Sequence, residues 1–343
     1  MVEPDFRVDA LEPRLVAYLS RQWGRPVRLS NWQRFPAGFS WITIGFRAQG
    51  ERDAASDLIL RIGSPRGLLA PYQAEPEYRT LELLQGTPHL PVPAVVAFCD
   101  DDSLIGAPFL ITRRVLGDTP MPWRGDADRR PPEHVASLSD DFIDALAALH
   151  RVSMGGSRLA ELWGEVHPAT VALAQVRHWA SHAGIGQVRV PPMLHYAARW
   201  LESSAPAARQ VSVVHGDFRV GNFLQHEGRI TAILDWELVH AGDPHEDLAW
   251  AGLRIFSAGS SRIGGLIDRE HFFARYAERA GYTPDPRIIR WYEILGLFKS
   301  ASMLLGALHR IESGRAQDAR MASMGFQVAS TLLELHRLIA EAA

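Results

Sequence analysis

A short β-like island inside a long helical region is the feature of this sequence that most limits its fold. From about residue 135 onward the apolar residues recur at helical spacing, except in residues 211–235. There Val214 leads directly into His215, Gly216 and Asp217, and a second β-branched run ends in Asp235. Polar clusters at strand ends are typical of functional sites, so the island predicts a small sheet that carries the chemistry of the chain.

The rest of the sequence divides into a strand-rich part and a helix-rich part. Residues 11–24 show a helical pattern, and three β-like runs occupy residues 27–63. A second helical pattern follows at 77–86, and two further strands are predicted in 91–115. At 343 residues the chain is long for one hydrophobic core. We therefore predict an α+β fold with a β-rich N-terminal lobe containing one main helix (1–115) and a mostly helical C-terminal lobe (116–343).

Composition excludes several classes of protein. The net charge is −3, which gives no reason to expect a nucleic acid or a membrane as partner. The N-terminal residues lack an apolar targeting segment, and no stretch reaches the about 18 apolar residues that a membrane span needs. Cys99 is the only cysteine, which rules out an internal disulfide and fits a reducing compartment. A cytoplasmic location is expected, whereas the sequence says nothing about oligomeric state.

Several catalytic motifs are missing. Lys299, the only lysine, follows Phe298 rather than glycine, so no Walker A loop exists. The signatures HExxH and GxSxG do not occur either, which argues against zincins and α/β-hydrolases. His240 and His245 flank Asp243 and suggest a metal site, but this segment reads better as a loop that enters a helix.

The polar residues of the island suit phosphoryl transfer. That reaction needs a base near the acceptor hydroxyl and Mg²⁺ on the phosphates, and Mg²⁺ prefers carboxylate and amide oxygens. Asp217 and Asn222 bracket one tight loop, so their side chains can converge. Asp235 ends a strand that is predicted to pair with the strand after Asn222, which brings this second carboxylate back beside the loop.

Three ordered motifs then point to a family. "HGDFRVGN" resembles the catalytic loop of the aminoglycoside phosphotransferase and choline kinase families, "ILDWE" resembles their metal-binding strand end, and "GDPHEDLAW" resembles the segment that follows. The resemblance implies a protein-kinase-like bilobal fold. It also implies transfer of the γ-phosphoryl group of ATP or GTP, with Mg²⁺, to a hydroxyl group of a small molecule.

The resemblance also implies roles for residues of the island. Asp217 matches the catalytic base, and Asn222 and Asp235 match the Mg²⁺ ligands. The other polar residues have two interpretations each. His215 either braces the loop or is an ordinary core histidine, Arg219 either contacts phosphate or substrate or is a surface arginine, and Glu237 either reaches the metal through water or is a solvated strand-end acid.

In the N-terminal lobe the resemblance is modified by an arginine. The lysine expected on the third strand is replaced by Arg61, which keeps a permanent charge and can bind phosphate oxygens in a bidentate manner. Glu77 is the expected helix partner of Arg61, with Glu75 as the alternative. Gly38 and Ser40 lie in the segment that corresponds to the phosphate-covering loop, although a plain hairpin turn is the simpler interpretation.

The acceptor is the least determined part of the sequence. "ALAQVRHWASHAG" resembles a helix of the kinase-like domains of acyl-CoA dehydrogenase family 10 and 11 proteins, which implies a hydroxyacyl-CoA, but amphipathic packing explains the same pattern. Residues 251–343 carry more basic than acidic side chains, which favours an anionic or neutral acceptor over a polycation. The alternatives are an aminoglycoside or other antibiotic O-phosphotransferase, a nucleotide-binding pseudokinase and a metal-dependent hydrolase.

Overall fold

The computed structural model describes residues 5–36, 38–50, 54–121 and 130–342. These residues form two compact units. The first takes its residues from Met1–Glu82 and Pro93–Val115, and the second from Leu83–Val92 and Leu116–Ala343. Because Leu83–Val92 joins the second unit, the two lobes are not simply consecutive in sequence, and residue 115 as a functional boundary stays a prediction.

The first unit contains a five-stranded antiparallel sheet with the strand order β1-β2-β3-β5-β4. Its strands begin and end as follows: β1 (Val27–Phe35), β2 (Trp41–Gly50), β3 (Ser56–Gly63), β4 (Val95–Cys99) and β5 (Phe109–Arg113). The central strand β3 alternates between buried and partly exposed side chains, so it presents one face to the core and leaves Arg61 on the other. All five strands were predicted from their β-branched and aromatic runs.

Two helices accompany this sheet. Helix α1 (Val8–Trp23) buries the leucines Leu11, Leu15 and Leu19, whose spacing places them on one face of the helix. They pack into a core formed with the apolar face of the sheet. Helix α2 (Glu75–Leu84) follows β3 and carries Glu77, which is 3% exposed. The sequence therefore predicted both helices, with ends that differ from the observed ones by one to three residues.

The second unit is mostly helical. Its helices are α3 (Pro132–His150), α4 (Arg158–Trp163), α5 (Val171–His182), α6 (Pro192–Ser203), α7 (His245–Ala251), α8 (Arg269–Ala280), α9 (Pro286–Glu312), α10 (Ala319–Ser323) and α11 (Gly325–Ala342). Helix α9 is its centre, since α5, α6, α7, α10 and α11 all pack against it. Among the described residues α9 is also the one helix with the length and mean hydropathy (1.2) of a membrane span, and 56% of that window is buried inside the protein.

Four short strands form the β-like island of the second unit. They are β6 (Ser212–Val214), β7 (Phe223–His226), β8 (Arg229–Ile233) and β9 (His240–Gly242). The predicted hairpin is confirmed, because β7 pairs antiparallel with β8. Strand β9 was missed: this segment was interpreted as part of a loop, but it pairs antiparallel with β6. A three-residue strand with a glycine has no alternation to reveal it, and its pairing with β6 is a long-range contact.

Candidate active site

His215 is the buried support of the loop that follows β6. The backbone N–H of Asp217 donates to Nδ1 of His215 over 3.1 Å, so this nitrogen is an acceptor and the ring proton lies on Nε2. Nε2 then donates to the carbonyl oxygen of Leu234 over 2.8 Å. Burial lowers the pKa of His215 and outweighs the opposing effect of Asp247, which keeps the imidazole neutral. His215 thereby ties the loop to the end of β8.

Asp247, at the start of α7, fixes the backbone of the same loop. Its carboxylate accepts the backbone N–H of His215 over 2.7 Å and that of Gly216 over 2.9 Å. His150 of α3 completes the group, with Nε2 lying 3.3 Å from the same carboxylate. Burial alone would raise the pKa of Asp247, but His150 and the loop around His215 lower it below its usual value. Asp247 therefore remains a carboxylate and accepts two buried N–H groups that would otherwise lack an acceptor.

Gly216 is the position in the loop where no side chain fits. Its φ angle is +79°, and a Cβ atom there would lie 2.5 Å from the carbonyl oxygen of Leu238. Both the conformation and the lack of space require glycine, because L-residues with a side chain rarely adopt positive φ.

Replacing Gly216 by alanine is expected to destabilise the protein more than its φ angle alone explains. Gly281 is the matched control, since its φ angle is +77° and a Cβ atom there would meet nothing within 4 Å. We expect Gly281→Ala to lower the free energy of unfolding by about 1–2 kcal/mol, the usual cost of this conformation. Gly216→Ala should cost about 1–3 kcal/mol more because of the clash. Urea denaturation of both variants measures the difference, and equal losses would contradict the close contact.

Three donors orient the carboxylate of Asp217. Oδ1 accepts from Nε of Arg219 over 3.0 Å and from the indole N–H of Trp250 over 2.7 Å. Oδ2 accepts from Nδ2 of Asn222 over 2.6 Å. The side chain is 21% exposed, so the carboxylate is held firmly yet remains accessible. The guanidinium of Arg219 also lies over the ring of Phe256, at 5.3 Å from its centroid.

Asn222 is arranged so that its oxygen is available to a ligand. Its Nδ2 donates to the backbone oxygen and to Oδ2 of Asp217, and the side chain is almost completely buried. Among the described residues, none donates a hydrogen bond to Oδ1 of Asn222. The backbone carbonyl of Asn222 accepts from the N–H of Leu234 over 2.8 Å. This contact brings the end of β8 directly beside the loop, as the sequence predicted.

Asp235 follows Leu234 and therefore stands next to Asn222. The residue is exposed and has φ +61° and ψ +56°, a left-handed conformation that is uncommon outside glycine. Such backbone positions are concentrated at functional sites. Glu237 lies two residues on, in a 3-10 turn (Trp236–Leu238), and is partly buried. The indole of Trp236 packs on His215 with the ring centroids 4.4 Å apart.

The donor set of this loop fits a hard cation. An amide oxygen from Asn222 and a carboxylate from Asp235 are ligands of the type that Mg²⁺ accepts, with phosphate oxygens and water completing its shell. In the described parts of the chain no group of three or more His, Cys, Asp or Glu residues could hold a metal ion by itself. The suggested metal pair His240 and His245 is separated into different contacts: His245 bonds to Asp243, and His240 bonds to Glu246.

Two residues near the loop were missed by the sequence analysis. Trp250 lies in the quoted segment "GDPHEDLAW", but no role was assigned to it, although its indole N–H bonds to Asp217. Lys299 was considered only to exclude a Walker A loop. It is 1% exposed in α9, and its ammonium donates to the carbonyl of Gly216. The sequence feature that could have pointed to Lys299 is that it is the only lysine among 36 lysine and arginine residues.

In the first unit Arg61 of β3 forms an ion pair with Glu77 of α2. The two side chains are 14% and 4% exposed, and the guanidinium lies 5.3 Å from the ring centroid of Trp41. Glu75, the alternative partner, instead pairs with Arg79 over 3.2 Å. The structure thus brings Arg61 and Glu77 together, while their contact with a nucleotide stays a prediction.

The segment with Gly38 and Ser40 is held by the chain that follows β3. Gly38 has a φ angle of +89°, and Ser40 is buried. The N–H of Leu68 donates to the carbonyl of Phe39 over 2.9 Å, and a Cβ atom on Gly67 would lie 2.3 Å from the oxygen of Ser40. This close contact shows that the loop is braced on one side by residues 64–72, whether or not it covers a phosphate.

The architecture of the two units, together with the His-Gly-Asp loop, is that of the kinase-like phosphotransferases. The model of the phosphotransferase enzyme family (APH) matches residues 41–292, well over half of the chain. The chain therefore belongs to this family. This confirms the family that was predicted from three short motifs. It also confirms the α+β kinase-like fold class and the enzyme class of a phosphotransferase.

Curated relatives are similar over most of this chain. Acyl-CoA dehydrogenase family member 10 of Mus musculus is 28% identical over 340 residues, which is 92% of this chain and 30% of that protein. Acyl-CoA dehydrogenase family member 11 of Homo sapiens is 28% identical over 264 residues, 72% of this chain and 33% of that protein. The chain thus spans about a third of the length of these relatives.

Solved structures share the fold at low sequence identity. A Ralstonia eutropha protein assigned to the aminoglycoside phosphotransferases superposes with a TM-score of 0.72 at 23% identity, covering 98% of this chain and 99% of that one. Macrolide 2'-phosphotransferase type I gives 0.60 at 21% identity, with 95% and 99% covered. An aminoglycoside phosphotransferase in ternary complex with AMP-PNP and hygromycin B gives 0.57 at 16% identity, with 96% and 99% covered.

Proposed function

We propose that this protein is an ATP- or GTP-dependent kinase that transfers the γ-phosphoryl group to a hydroxyl group of a small molecule. The observation that carries the proposal is the arrangement at Asp217. Its carboxylate is oriented by three donors, stays partly exposed, and stands beside Asn222, whose Oδ1 has no donor from the described residues. An accessible oriented base next to oxygen ligands is what phosphoryl transfer requires.

In the proposed mechanism Asp217 acts on the acceptor. One carboxylate oxygen accepts the proton of the hydroxyl group while the hydroxyl oxygen attacks the γ-phosphorus and the bond to the nucleoside diphosphate breaks. Arg219 and Trp250 keep the carboxylate in a single orientation. Asn222 and Asp235 would hold Mg²⁺, which when bound neutralises the charge of the phosphate oxygens.

In the first unit Arg61 is proposed to bind phosphate oxygens of the nucleotide. Glu77 accepts one edge of its guanidinium and is nearly inaccessible, so the pair orients the arginine. A guanidinium has five donors in a fixed plane, and its geometry suits bidentate binding of phosphate oxygens. Gly38 and Ser40 would contribute main-chain groups of the adjoining loop.

Arg61→Ala is expected to weaken nucleotide binding by about 10- to 100-fold, the usual range for a hydrogen bond to a charged group. Arg61→Lys should lose less affinity than Arg61→Ala, because it keeps the positive charge. It should still bind more weakly than the wild type, because an ammonium on a shorter stem reaches only one partner well. Glu77→Ala should resemble Arg61→Ala, and the double variant should cost less than the sum, since both changes remove one unit. Isothermal calorimetry with ATP and GTP measures each affinity.

The matched control for that series is the pair of Arg47 and Asp57 in the same sheet. It joins β2 to β3 over 2.9 Å, but its side chains are 44% and 51% exposed. Arg47→Ala should leave nucleotide affinity unchanged, because an exposed pair contributes at most about 1 kcal/mol and to stability only. Wild-type affinity in Arg61→Ala, or strict additivity in the double variant, would contradict the proposed phosphate contact.

For the acceptor we favour a hydroxyacyl-CoA or a similar anionic metabolite. The curated relatives of this chain are acyl-CoA dehydrogenase family members, and their similarity extends over most of its length. The predicted α5 lies at Val171–His182, with Val176 and Trp179 buried as expected for packing. The net basic charge of residues 251–343 favours an anion over a polycation.

An antibiotic is the second candidate acceptor. The structural neighbours carry the names of aminoglycoside and macrolide phosphotransferases, and one was crystallised with hygromycin B. Because these neighbours are at most 23% identical, they establish only the fold. The third alternative, a pseudokinase, predicts nucleotide binding without transfer.

Thermal shift and turnover measurements separate these candidates. Unfolding would be followed with ATP and GTP, each with and without Mg²⁺, and formation of ADP or GDP would then be measured over a panel of hydroxyl compounds. The panel contains hydroxyacyl-CoAs of several chain lengths, hygromycin B, streptomycin and a macrolide, with Asp217→Asn as the inactive control. We expect transfer to a hydroxyacyl-CoA. Stabilisation by nucleotide without transfer to any compound would instead identify a pseudokinase.

A further inference from the structure

Lys299 is a buried cation that the mechanism above leaves without a task. It lies in the middle of α9, and the surrounding chain uses arginine at every other basic position. Its Nζ donates to the carbonyl of Gly216 and lies 3.5 Å from Oε1 of Glu246. It also lies over two indole rings, 4.5 Å from the centroid of Trp250 and 5.1 Å from that of Trp179.

The site of Lys299 is built for an ammonium group. A compact tetrahedral cation can donate to a carbonyl and a carboxylate while it contacts the faces of two aromatic rings. A guanidinium is planar and wider, so it cannot make these four contacts in the same space. The geometry explains why this position differs from the 35 arginines elsewhere in the chain.

Buried charges around Lys299 are balanced by its neighbours. Glu246 accepts from Nε2 of His240 over 3.1 Å, and Nδ1 of the same ring lies 2.9 Å from the carbonyl of Leu238. Both ring nitrogens of His240 face an acceptor. Burial lowers the pKa of His240, but Glu246 outweighs this effect and raises the pKa above its usual value. Burial alone would raise the pKa of Glu246, but His240 and Lys299 outweigh this effect and lower the pKa below its usual value.

Lys299 reaches Asp217 by two routes. The carbonyl of Gly216 belongs to the peptide bond that ends at the nitrogen of Asp217, and this nitrogen donates to His215. That peptide plane is therefore held by its oxygen through Lys299 and by its N–H through His215. In addition, the indole under the ammonium is Trp250, whose N–H bonds to Oδ1 of Asp217.

We propose that Lys299 is a positioning residue for phosphoryl transfer, which fixes Asp217 through the Gly216 carbonyl and through the Trp250 ring. The inference rests on the proposed role of Asp217 as the base. Lys299 itself touches neither substrate nor nucleotide. Its contribution therefore falls on the turnover number, because displacing a catalytic group slows the chemical step without changing the binding of ground-state ligands.

Lys299→Met is the decisive variant. Methionine has nearly the length of lysine, packs well between indoles and lacks the charge and the donors. We expect kcat to fall at least about tenfold, with the nucleotide Kd and the acceptor KM unchanged and the thermal transition retained. Lys299→Arg should be at least as slow, since charge without the right shape does not restore the contacts. Wild-type kcat in a folded Lys299→Met protein would overturn the proposal.

Ser302→Ala is the matched control on α9. Ser302 is fully buried less than one turn from Lys299, and its hydroxyl donates to the carbonyl of Phe298 within the same helix. Its removal should leave kcat unchanged, which separates loss of the Lys299 contacts from general disturbance of α9. If Lys299→Met alone fails to fold, the double variant Lys299→Met/Glu246→Gln also removes the buried charge of the carboxylate that has lost the ammonium, and the same loss of kcat is expected.

A spectroscopic measurement on the wild-type residue makes the test independent of folding of the variants. Labelling with lysine that carries ¹⁵N at Nζ gives one side-chain signal in this chain, because Lys299 is the only lysine. This signal should shift in Asp217→Asn and in Trp250→Phe but not in Ser302→Ala. An unchanged signal in both Asp217→Asn and Trp250→Phe would show that Lys299 is not coupled to Asp217 and would overturn the proposal.

The same assay distinguishes failure of this inference from failure of the proposed function. Asp217→Asn and Lys299→Met are measured beside the wild type on the acceptor found in the panel. An inactive Asp217→Asn with a fully active Lys299→Met rejects the positioning role and leaves the kinase mechanism intact. Near-normal turnover in Asp217→Asn rejects the base, and the positioning role falls with it.

Discussion

Asp217→Asn is expected to lower kcat by about 10²- to 10⁴-fold, the usual contribution of general-base catalysis. The amide keeps the shape of the side chain but cannot accept the proton of the acceptor hydroxyl. Its NH₂ group would also face one of the three donors that now bind the carboxylate. Nucleotide affinity should change little, since these contacts concern the acceptor side. Steady-state kinetics and calorimetry measure the two quantities separately.

A control for this variant is Asp144→Asn. The carboxylate of Asp144 is also largely buried and pairs with Arg275 at 2.8 Å and with Arg279 at 3.1 Å, but it lies in α3 outside the loop. Arg275 and Arg279 outweigh the effect of burial and hold the pKa of Asp144 below its usual value. Its replacement should reduce stability without reducing kcat. If Asp217→Asn kept near-normal turnover, the base would have to be assigned elsewhere.

Asp235→Ala is expected to abolish the Mg²⁺-dependent part of nucleotide binding. Asp235 and Asn222 are the two residues that would hold the ion, so removing the carboxylate would leave a single protein ligand. Calorimetry with ATP in the presence of Mg²⁺ and of EDTA measures the effect. The wild type should bind more tightly with Mg²⁺, whereas Asp235→Ala should bind equally weakly in both conditions.

Glu237→Gln is the control for the metal assignment. Glu237 is two residues from Asp235 and is the next carboxylate along the chain. The Glu237→Gln variant should retain the difference in ATP affinity between Mg²⁺ and EDTA. If Mg²⁺ still raised the ATP affinity of Asp235→Ala but not that of Glu237→Gln, the metal role would be assigned to Glu237.

Much of the fold could be predicted because its signals are local. The strands of the first unit are β-branched runs bounded by turn residues, and the leucines of α1 recur at helical spacing. The proximity of Asp217, Asn222 and the end of β8 was also predictable, since a tight loop and a hairpin are short-range structures. The carbonyl of Asn222 bonds to Leu234, the residue before Asp235, as that reasoning required.

What the sequence could not predict depends on contacts between distant residues. Strand β9 is visible only through its pairing with β6, about 30 residues earlier. Lys299 lies 83 residues after Gly216, and no local pattern marks a buried ammonium in an apolar helix. The choice between a bracing and an ordinary core histidine at His215 likewise required its partners, because burial is common to both.

Asp247 shows where the information for the loop resides. One carboxylate in α7 accepts the N–H groups of two consecutive loop residues that precede it by 32 and 31 positions. The conformation of the loop therefore depends partly on a residue outside the loop. The eight residues "HGDFRVGN" grafted onto another protein would not adopt this conformation without that carboxylate. It follows that a substitution of Asp247 would lower the reaction rate as the loss of a catalytic residue does, although this side chain contacts no reacting atom. Transplantation of the chemistry would have to move both segments as a pair.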